Sequence, residues 1–133
     1  MSIEKVNDYL TEAKSYFLTT VKDNKPKCRP IGLNLLIEGK IYFGVGDFKE
    51  VYKQMQENPY VEICAMVNNK FLRYHGKAVF TTNEDIAKNA LEAIPVLKNI
   101  YNDETGHKIK MFCLEEATAD FYNGVSLDES ISL

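Results

Sequence analysis

The chain has 133 residues, of which 26% are charged and 45% are hydrophobic, and its formal net charge is −3 at pH 7. This composition predicts a single globular domain over residues 1–133 and excludes a wholly disordered chain. An acidic balance argues against nucleic-acid binding, and no apolar run approaches the ~20 residues that span a bilayer. Because the N-terminal residues are polar and charged, we expect a cytoplasmic protein without a membrane partner.

The cysteines and histidines do not have the spacing of a metal site. Cys28, Cys64 and Cys113 are far apart in the chain and are predicted to be free thiols. His75 and His107 are also far apart, and zinc sites require closely spaced ligands. The sequence therefore predicts no metal site and does not identify a catalytic side chain. If the protein is an enzyme, a bound cofactor is expected to carry out the reaction.

The first half of the chain predicts a helix and three strands in meander order. Helical spacing favours a helix over residues 3–14, and β-branched and aromatic residues favour a strand over 15–21. Period-two alternation predicts one long strand over 27–37, which would direct Ile31, Leu33, Leu35 and Ile37 into the core. A tight turn at Glu38 and Gly39 then leads to a strand over 40–45.

The second half predicts three further strands and three helices. Thr82 with Asp85 three residues later resembles a capping box. Glu115 and Glu116 predict a bulge in the last strand, and the final eleven residues are expected to be loosely held. Patterning alone leaves a small barrel and an open α+β sheet equally favoured. The predicted strands are 61–67, 71–81 and 110–122, and the predicted helices are 48–57, 82–92 and 95–101.

Arg29 is the first candidate for a binding residue. Alternation places it on the same strand face as Ile31 and Leu33, where a charge is unfavourable unless it meets an anion. Pro30 cannot donate to a strand ladder, and Gly32 follows it, so an edge or a bulge is expected here. The alternative is an arginine at a strand end that pairs with a surface carboxylate.

The run Gly44-Val45-Gly46-Asp47-Phe48-Lys49 leads from a strand end into a helix start. Glycines permit close approach of a ligand, and a helix N-terminus favours an anion, most simply a phosphate. Lysine is disfavoured at this end of a helix, so Lys49 points to the same ligand, although it could also lie over the sheet. Asp47 partly neutralises the site. Together, Arg29 and Lys49 would suit a phosphate monoester.

Six runs of residues, in this order along the chain, carry a resemblance to a known family: 17–20, 25–32, 41–44, 49–54, 58–62 and 72–78. Together they resemble the pyridoxamine 5'-phosphate oxidase-like flavoproteins, particularly the small NimA-like members. The resemblance covers residues 3–122 and implies a mainly β, α+β fold. The implied architecture is a six-stranded antiparallel FMN-binding split barrel with flanking helices.

The resemblance also implies a homodimer that holds two FMN molecules in clefts between the subunits. Asn34 and Phe48 depart from the family pattern, since basic residues often occupy these two positions. By the resemblance, Arg29 and Lys49 match the positions that bind the FMN phosphate. The residues that match flavin-lining positions are Pro30, Ile31, Gly44 and Val45, and Gln54 is a weaker match to a cofactor-binding position.

The function implied by the resemblance is an FMN-dependent oxidoreductase. Electrons would pass from NADH or NADPH through FMN to a small acceptor, in nitroreductase-like or pyridoxamine-phosphate-oxidase-like chemistry. A non-catalytic flavin-binding or small-ligand-binding barrel, for storage or electron carriage, remains the alternative, as does a barrel without flavin.

Strand parity supports the expectation of a dimer. Cys64 and Met66 fall on the face of their strand opposite the predicted core, although thiol and thioether groups favour burial. A second copy or the late helices would cover that face, and His75 would then form interface hydrogen bonds.

Overall fold

The computed structural model describes residues 2–133, in which helices separate groups of two to four consecutive strands. The elements in chain order are α1 (Ser2–Ala13), β1 (Tyr16–Lys22), β2 (Lys25–Ile31), β3 (Leu35–Ile37), β4 (Lys40–Gly46), α2 (Glu50–Glu57), β5 (Tyr60–Val67), β6 (Lys70–Phe80), α3 (Glu84–Ala93), a 3-10 helix (Pro95–Asn99), β7 (Ile109–Asn123) and β8 (Ser126–Ser132). None of the helices in this range is long and apolar enough to cross a membrane.

Two-residue turns at polar or glycine positions close two of the hairpins. Asp23 and Asn24, between β1 and β2, have φ values of 51° and 63°. Glu38 and Gly39, between β3 and β4, have φ values of 51° and 79°. Turns with two positive φ values match the twist of antiparallel strands, which explains why these sites form tight hairpins.

The strands form an open sheet in the order β2-β1-β5-β6-β7-β4-β3, with β8 paired to β7. The described part of the chain therefore has eight strands and a sheet that is not closed, so the prediction of six strands in a barrel was wrong in count and in closure. The expectation of a mainly antiparallel β fold with flanking helices is confirmed. The expectation of loosely held final residues was also wrong, because β8 continues the ladder of β7 from Thr118 to Asn123.

The predicted long strand over 27–37 is divided in two. β2 pairs with β1, whereas β3 pairs with β4 at the far end of the sheet. The side chain of Asn34, in the crossing segment, accepts a hydrogen bond from Tyr16 Oη at 2.9 Å and donates to Asn7 Oδ1 at 2.8 Å. These bonds tie the segment to β1 and α1. The predicted meander of three strands is therefore replaced by two separate hairpins.

The apolar side chains form two clusters. The side chains of residues 31–37 that were predicted to share one core face are divided between these two clusters. The larger cluster, the main core, lies between the sheet and the helices α1 and α2, and Ile31 packs against it. The smaller cluster lies under α3, where Leu33, Leu35 and Ile37 pack. The buried members of the smaller cluster are Ile86, Ala90, Ile109 and Met111.

The helix starts differ from the sequence-based expectations in detail. α3 is capped by Asn83, whose Oδ1 accepts from the Asp85 amide at 3.0 Å, and not by Thr82. Asparagine competes well for this role because its short side chain reaches the first free amides. α2 begins at Glu50 and leaves Phe48 outside the helix. The last predicted helix is a short 3-10 helix of five residues.

The predicted bulge at Glu115 and Glu116 is confirmed. The pairing of β6 with β7 shifts between His75 and Lys77, and Glu116 has a φ of 50°. A Cβ placed on Gly76 would lie 2.8 Å from the Glu115 carbonyl oxygen. The two strands approach so closely here that only glycine fits at position 76.

We therefore expect Gly76→Ala to lower the free energy of unfolding by about 1–3 kcal/mol, because the added methyl group must displace the backbone of β7. Urea denaturation measures the change. Lys77→Ala, an exposed substitution next to it in the same strand, serves as the matched control. Equal midpoints for Gly76→Ala and the wild-type protein would contradict the prediction.

Two buried tyrosines make the fold sensitive to alkali. Burial raises the pKa of Tyr16 and of Tyr74 well above the ordinary value of 10.0. Because the folded state holds these protons more tightly than the unfolded chain, their stabilising contribution is complete below pH 10 and is lost as the pH rises above it.

Stability should therefore fall above pH 10, by up to about 1.4 kcal/mol per pH unit for each tyrosine. Tyr74→Phe removes one of these two groups, so the free energy of unfolding should fall less steeply with pH in this variant. Urea titrations between pH 8 and about 11 measure the slope. An unchanged slope in Tyr74→Phe would contradict the assignment.

Candidate functional site

The guanidinium group of Arg29 lies half-buried between β1, β2 and α2. Nη1 donates to the carbonyl oxygens of Leu18 and Lys27 at 3.2 and 3.1 Å and to Thr20 Oγ1 at 2.7 Å. Nη2 donates to Gln54 Oε1 at 2.9 Å. All four acceptors are neutral, so the group is fixed in position while its positive charge remains uncompensated.

Thr20 and Gln54 form the buried base of this site. Both side chains are almost inaccessible to solvent, and Thr20 Oγ1 donates to Gln54 Oε1 at 2.6 Å. Gln54 is held there because its neighbours on α2, Val51 and Met55, are buried in the main core. The sequence analysis missed Thr20. Its signal was a hydroxyl group at the inward-facing parity of β1.

The charged side chain of Arg29 is partly removed from water, although β2 is an edge strand. Burial lowers the pKa of Arg29, because removing the guanidinium from water disfavours its charged form. Within residues 2–133, no carboxylate lies within 4.0 Å of this group. The alternative of a surface carboxylate partner is therefore not observed. A fixed, partly desolvated cation of this kind attracts an anion.

Lys49 stands at the start of α2, where it is the N-cap residue and makes no side-chain capping bond. Its side chain is exposed, with Nζ 5.2 Å from the centroid of the Phe48 ring. Nearby, Glu50 lies 3.8 Å from Lys22 Nζ and 3.5 Å from Lys53 Nζ. The first turn of α2 is therefore surrounded by lysine side chains, and its first amides have no side-chain cap.

The structure relates Arg29 and Lys49 through α2 and not through neighbouring strands. β2 and β4 lie toward opposite ends of the sheet, so the expected adjacency of their strands was wrong. Arg29 instead contacts α2 through Gln54, five residues after Lys49. Five residues correspond to about 7.5 Å along a helix axis.

The two glycines of the β4 segment are explained by packing within the chain. A Cβ on Gly44 would lie 2.7 Å from Ile109 Cδ1, and one on Gly46 would lie 2.8 Å from Tyr101 Oη. Val45 lies in the main core. Pro30 is exposed and Ile31 is half-buried at the end of β2. These positions remain predictions as flavin-lining residues.

The residues that depart from the family pattern have roles of their own. Asn34 connects Tyr16 to α1, donating to Thr11 Oγ1 at 2.9 Å as well as to Asn7. Phe48 stacks on His107, with ring centroids 3.9 Å apart. Among residues 2–133, no group of three or more His, Cys, Asp or Glu side chains is placed to hold a metal ion.

Comparison with known proteins gives structural neighbours. No family model and no curated protein matches this sequence. In structure, the chain superimposes on a NimC/NimA family protein from Clostridium acetobutylicum with a TM-score of 0.89 and 28% identity, covering 100% of this chain and 94% of that one.

Two more distant neighbours share the fold. General Stress Protein 26 from Bacillus anthracis superimposes with a TM-score of 0.75 and 14% identity, covering 99% of this chain and 98% of that one. A pyridoxamine 5'-phosphate oxidase-related, FMN-binding protein from Nostoc punctiforme superimposes with a TM-score of 0.62 and 16% identity, covering 97% and 84%. At these identities, the two likenesses establish the fold alone.

The described part of the chain is an open antiparallel sheet with flanking helices, and this architecture is consistent with a split-barrel fold. The chain is structurally similar to NimC/NimA and pyridoxamine 5'-phosphate oxidase-family proteins, and the resemblance inferred from the sequence is confirmed.

The hydrogen bonds at the base of the site make a prediction about stability. Thr20→Val keeps the shape of the side chain but leaves Gln54 and Arg29 without the hydroxyl group between them. We expect the free energy of unfolding to fall by about 1–3 kcal/mol, the usual effect of unpairing buried polar groups. Thr19→Val, the same change on the other face of β1, is the matched control. Equal losses for the two variants in urea denaturation would contradict the role assigned to Thr20.

Proposed function

We propose that this protein is an FMN-binding oxidoreductase and that Arg29 and Lys49 bind the phosphate of the cofactor. The observation that carries the proposal is the guanidinium of Arg29, which is half-buried, held by four neutral oxygens and without a carboxylate within 4.0 Å in residues 2–133. The printed name of one structural neighbour describes an FMN-binding protein, which supports the same ligand.

The donor set suits a phosphate monoester. Arg29 uses both Nη atoms within the chain, yet a guanidinium has five N–H groups, so donors remain for a ligand. Lys49 adds a mobile ammonium group, and the first amides of α2 add the donors of a helix N-terminus. Glu50 lies in the same turn, but Lys22 and Lys53 offset its charge.

In this proposal Gln54 and Thr20 are positioning residues. Gln54 Oε1 accepts from both Thr20 and Arg29, so the three side chains fix one another across β1, β2 and α2. The guanidinium is thereby oriented before any ligand arrives, which reduces the entropy lost on binding. Pro30, Ile31, Gly44 and Val45 are proposed to line the flavin ring through their backbone.

The chemistry that bound FMN supplies is the transfer of two electrons, from a reduced nicotinamide to a small acceptor. The protein contributes binding, orientation and the exclusion of water. No side chain is assigned as a nucleophile. The alternative, a flavin carrier without turnover, differs in the outcome of a steady-state assay.

A second copy of the chain is proposed to complete the cofactor cleft. The outer face of the sheet exposes Phe17 by 52% and Met66 by 64%, and Cys64 lies between them as the partner of Phe17. α3 packs on β4 and β7 and leaves this face open. The ion pair between Arg73 and Glu62, at 2.8 Å, lies on the same face and would provide a polar border. Patches of this kind are typical of subunit interfaces.

We expect Lys49→Ala and Arg29→Ala each to weaken FMN binding by roughly ten- to a hundredfold, the effect of losing a charge-assisted hydrogen bond. Quenching of flavin fluorescence measures the dissociation constants. Arg29→Lys keeps the charge but loses the planar fork, so an intermediate loss is expected.

Lys25→Ala, which removes an exposed lysine from the start of β2, is the matched control and should bind FMN as the wild-type protein does. Urea denaturation of every variant separates lost binding from lost folding. Unchanged FMN affinity in the Arg29 and Lys49 double variant would refute the phosphate assignment.

Steady-state oxidation of NADH and NADPH, with FMN and a small electron acceptor added, tests the enzymatic part of the proposal. Turnover that depends on FMN and falls in the Lys49→Ala variant is expected. Flavin binding without turnover for any acceptor would favour the carrier.

Sedimentation equilibrium tests the proposed dimer. The wild-type protein should have twice the mass of the chain at micromolar concentration, and Met66→Lys should shift it toward the monomer by placing a charge in the apolar face. Lys70→Glu, an exposed substitution at the end of the next strand, is the control. A wild-type protein that is monomeric while it binds FMN would contradict the shared cleft.

A further inference from the structure

A cavity of about 470 Å³ lies between α3 and residues 101–111, apart from the Arg29 site. Pockets that hold small organic ligands have volumes of about 300–1,000 Å³. None of the residues assigned to the phosphate site lines this cavity. Its apolar lining includes Leu91, Ile109 and Met111.

The floor of the cavity is part of the smaller hydrophobic cluster. Ile109 and Met111 are buried, and they pack with Ile86 and Ala90 on the inner face of α3. Tyr101 and His107 add ring surfaces to the lining. A ligand with a flat apolar body would therefore meet a preformed apolar surface, with little rearrangement of the chain.

Three lysines are among the lining residues of the cavity. Lys88, Lys108 and Lys110 line it together with Glu84 and Asp103. The carboxylate of Asp47 adjoins the wall, where it is bonded to the Lys108 amide. In the described range 2–133, no carboxylate lies within 4.0 Å of the three ammonium groups. The lysines are therefore not engaged in ion pairs within the chain and can attract the carboxylate of a ligand.

The wall of the cavity is fixed by bonds to the turn between β4 and α2. The Asp47 amide donates to the Lys108 carbonyl oxygen at 2.9 Å, and the Lys108 amide donates to Asp47 Oδ1 at 3.0 Å. The rings of His107 and Phe48 stack beside these bonds, 3.9 Å apart. Thr105 Oγ1 donates to the Ile100 carbonyl oxygen at 2.6 Å and anchors the loop. The cavity is therefore held open by the chain itself.

We propose that this cavity binds a small aromatic monocarboxylate. The apolar floor and the rings of Tyr101 and His107 would contact the ring system of the ligand, and Lys88, Lys108 and Lys110 would attract its carboxylate at the rim. The hydroxyl of Tyr101 is protonated at neutral pH, as for any tyrosine, and can donate a hydrogen bond to the carboxylate. This binding does not rest on the flavin, because the two sites have no residue in common.

The test uses 1-naphthoate, with 1-naphthamide as its uncharged counterpart of the same shape. Calorimetry gives the dissociation constants, and shifts of the backbone amide signals in NMR spectra locate the site. Naphthoate should bind at least about tenfold more tightly than the amide, and its affinity should fall as salt is added. The signals that shift should belong to α3 and residues 101–111.

Two variants distinguish naphthoate binding in the cavity from nonspecific binding elsewhere on the protein. Lys88→Gln combined with Lys108→Gln should weaken naphthoate binding at least about fivefold, whereas Lys25→Gln combined with Lys70→Gln, at exposed positions elsewhere, should not. Ala87→Trp, which fills the cavity from α3, should abolish binding. If that variant fails to fold, the lysine pairs still decide the result.

Equal affinity for naphthoate and naphthamide, equal loss in both lysine pairs, or shifted signals confined to other elements would each overturn the proposal. The titration is run without flavin and again with FMN added. A protein that binds naphthoate but not FMN refutes the proposed function alone, and the reverse result refutes this inference alone.

Discussion

The hydrogen bonds that join Arg29, Thr20 and Gln54 are the interaction on which the candidate site depends. They connect β2, β1 and α2, so that an edge strand, its neighbour and a helix share one polar contact at the border of the main core. A buried hydroxyl and a buried amide are costly unless paired, and the guanidinium pairs both. All acceptors of the Arg29 guanidinium are neutral, so its charge is not paired with a carboxylate. A contact that holds the fold together is therefore also a candidate site for an anion.

The crossing segment at Gly32 to Asn34 has a comparable influence on the far side of the molecule. By separating β3 from β2, it brings Leu33 and Leu35 under α3, where they complete the smaller cluster. That cluster forms the floor of the cavity beside α3. The turn between β4 and α2 adjoins both proposed sites, because Lys49 follows it and Asp47 bonds to Lys108 in the cavity wall.

Much of the fold could be predicted because local patterns specify it. The burial of Val6 and Leu10 confirms the predicted amphipathic helix α1. The burial of Ile63 confirms which face of β5 points into the core. The bulge at Glu116 was visible as a polar interruption of an apolar strand. The division of residues 27–37 was not visible, because period-two alternation continues through the break, and the division is revealed only by the pairing of β3 with β4 and by the bonds of Asn34 to β1 and α1.

The sequence by itself determined most of the helices and strands, the hairpin turns, and Arg29 and Lys49 as candidates for binding an anion. Periodicity and turn residues carry this information because they act over a few neighbouring positions. Only the tertiary structure decided that Thr20 completes the site, that α2 relates Arg29 to Lys49, and that the sheet stays open with eight strands. These features depend on contacts between residues far apart in the chain, which no local pattern encodes.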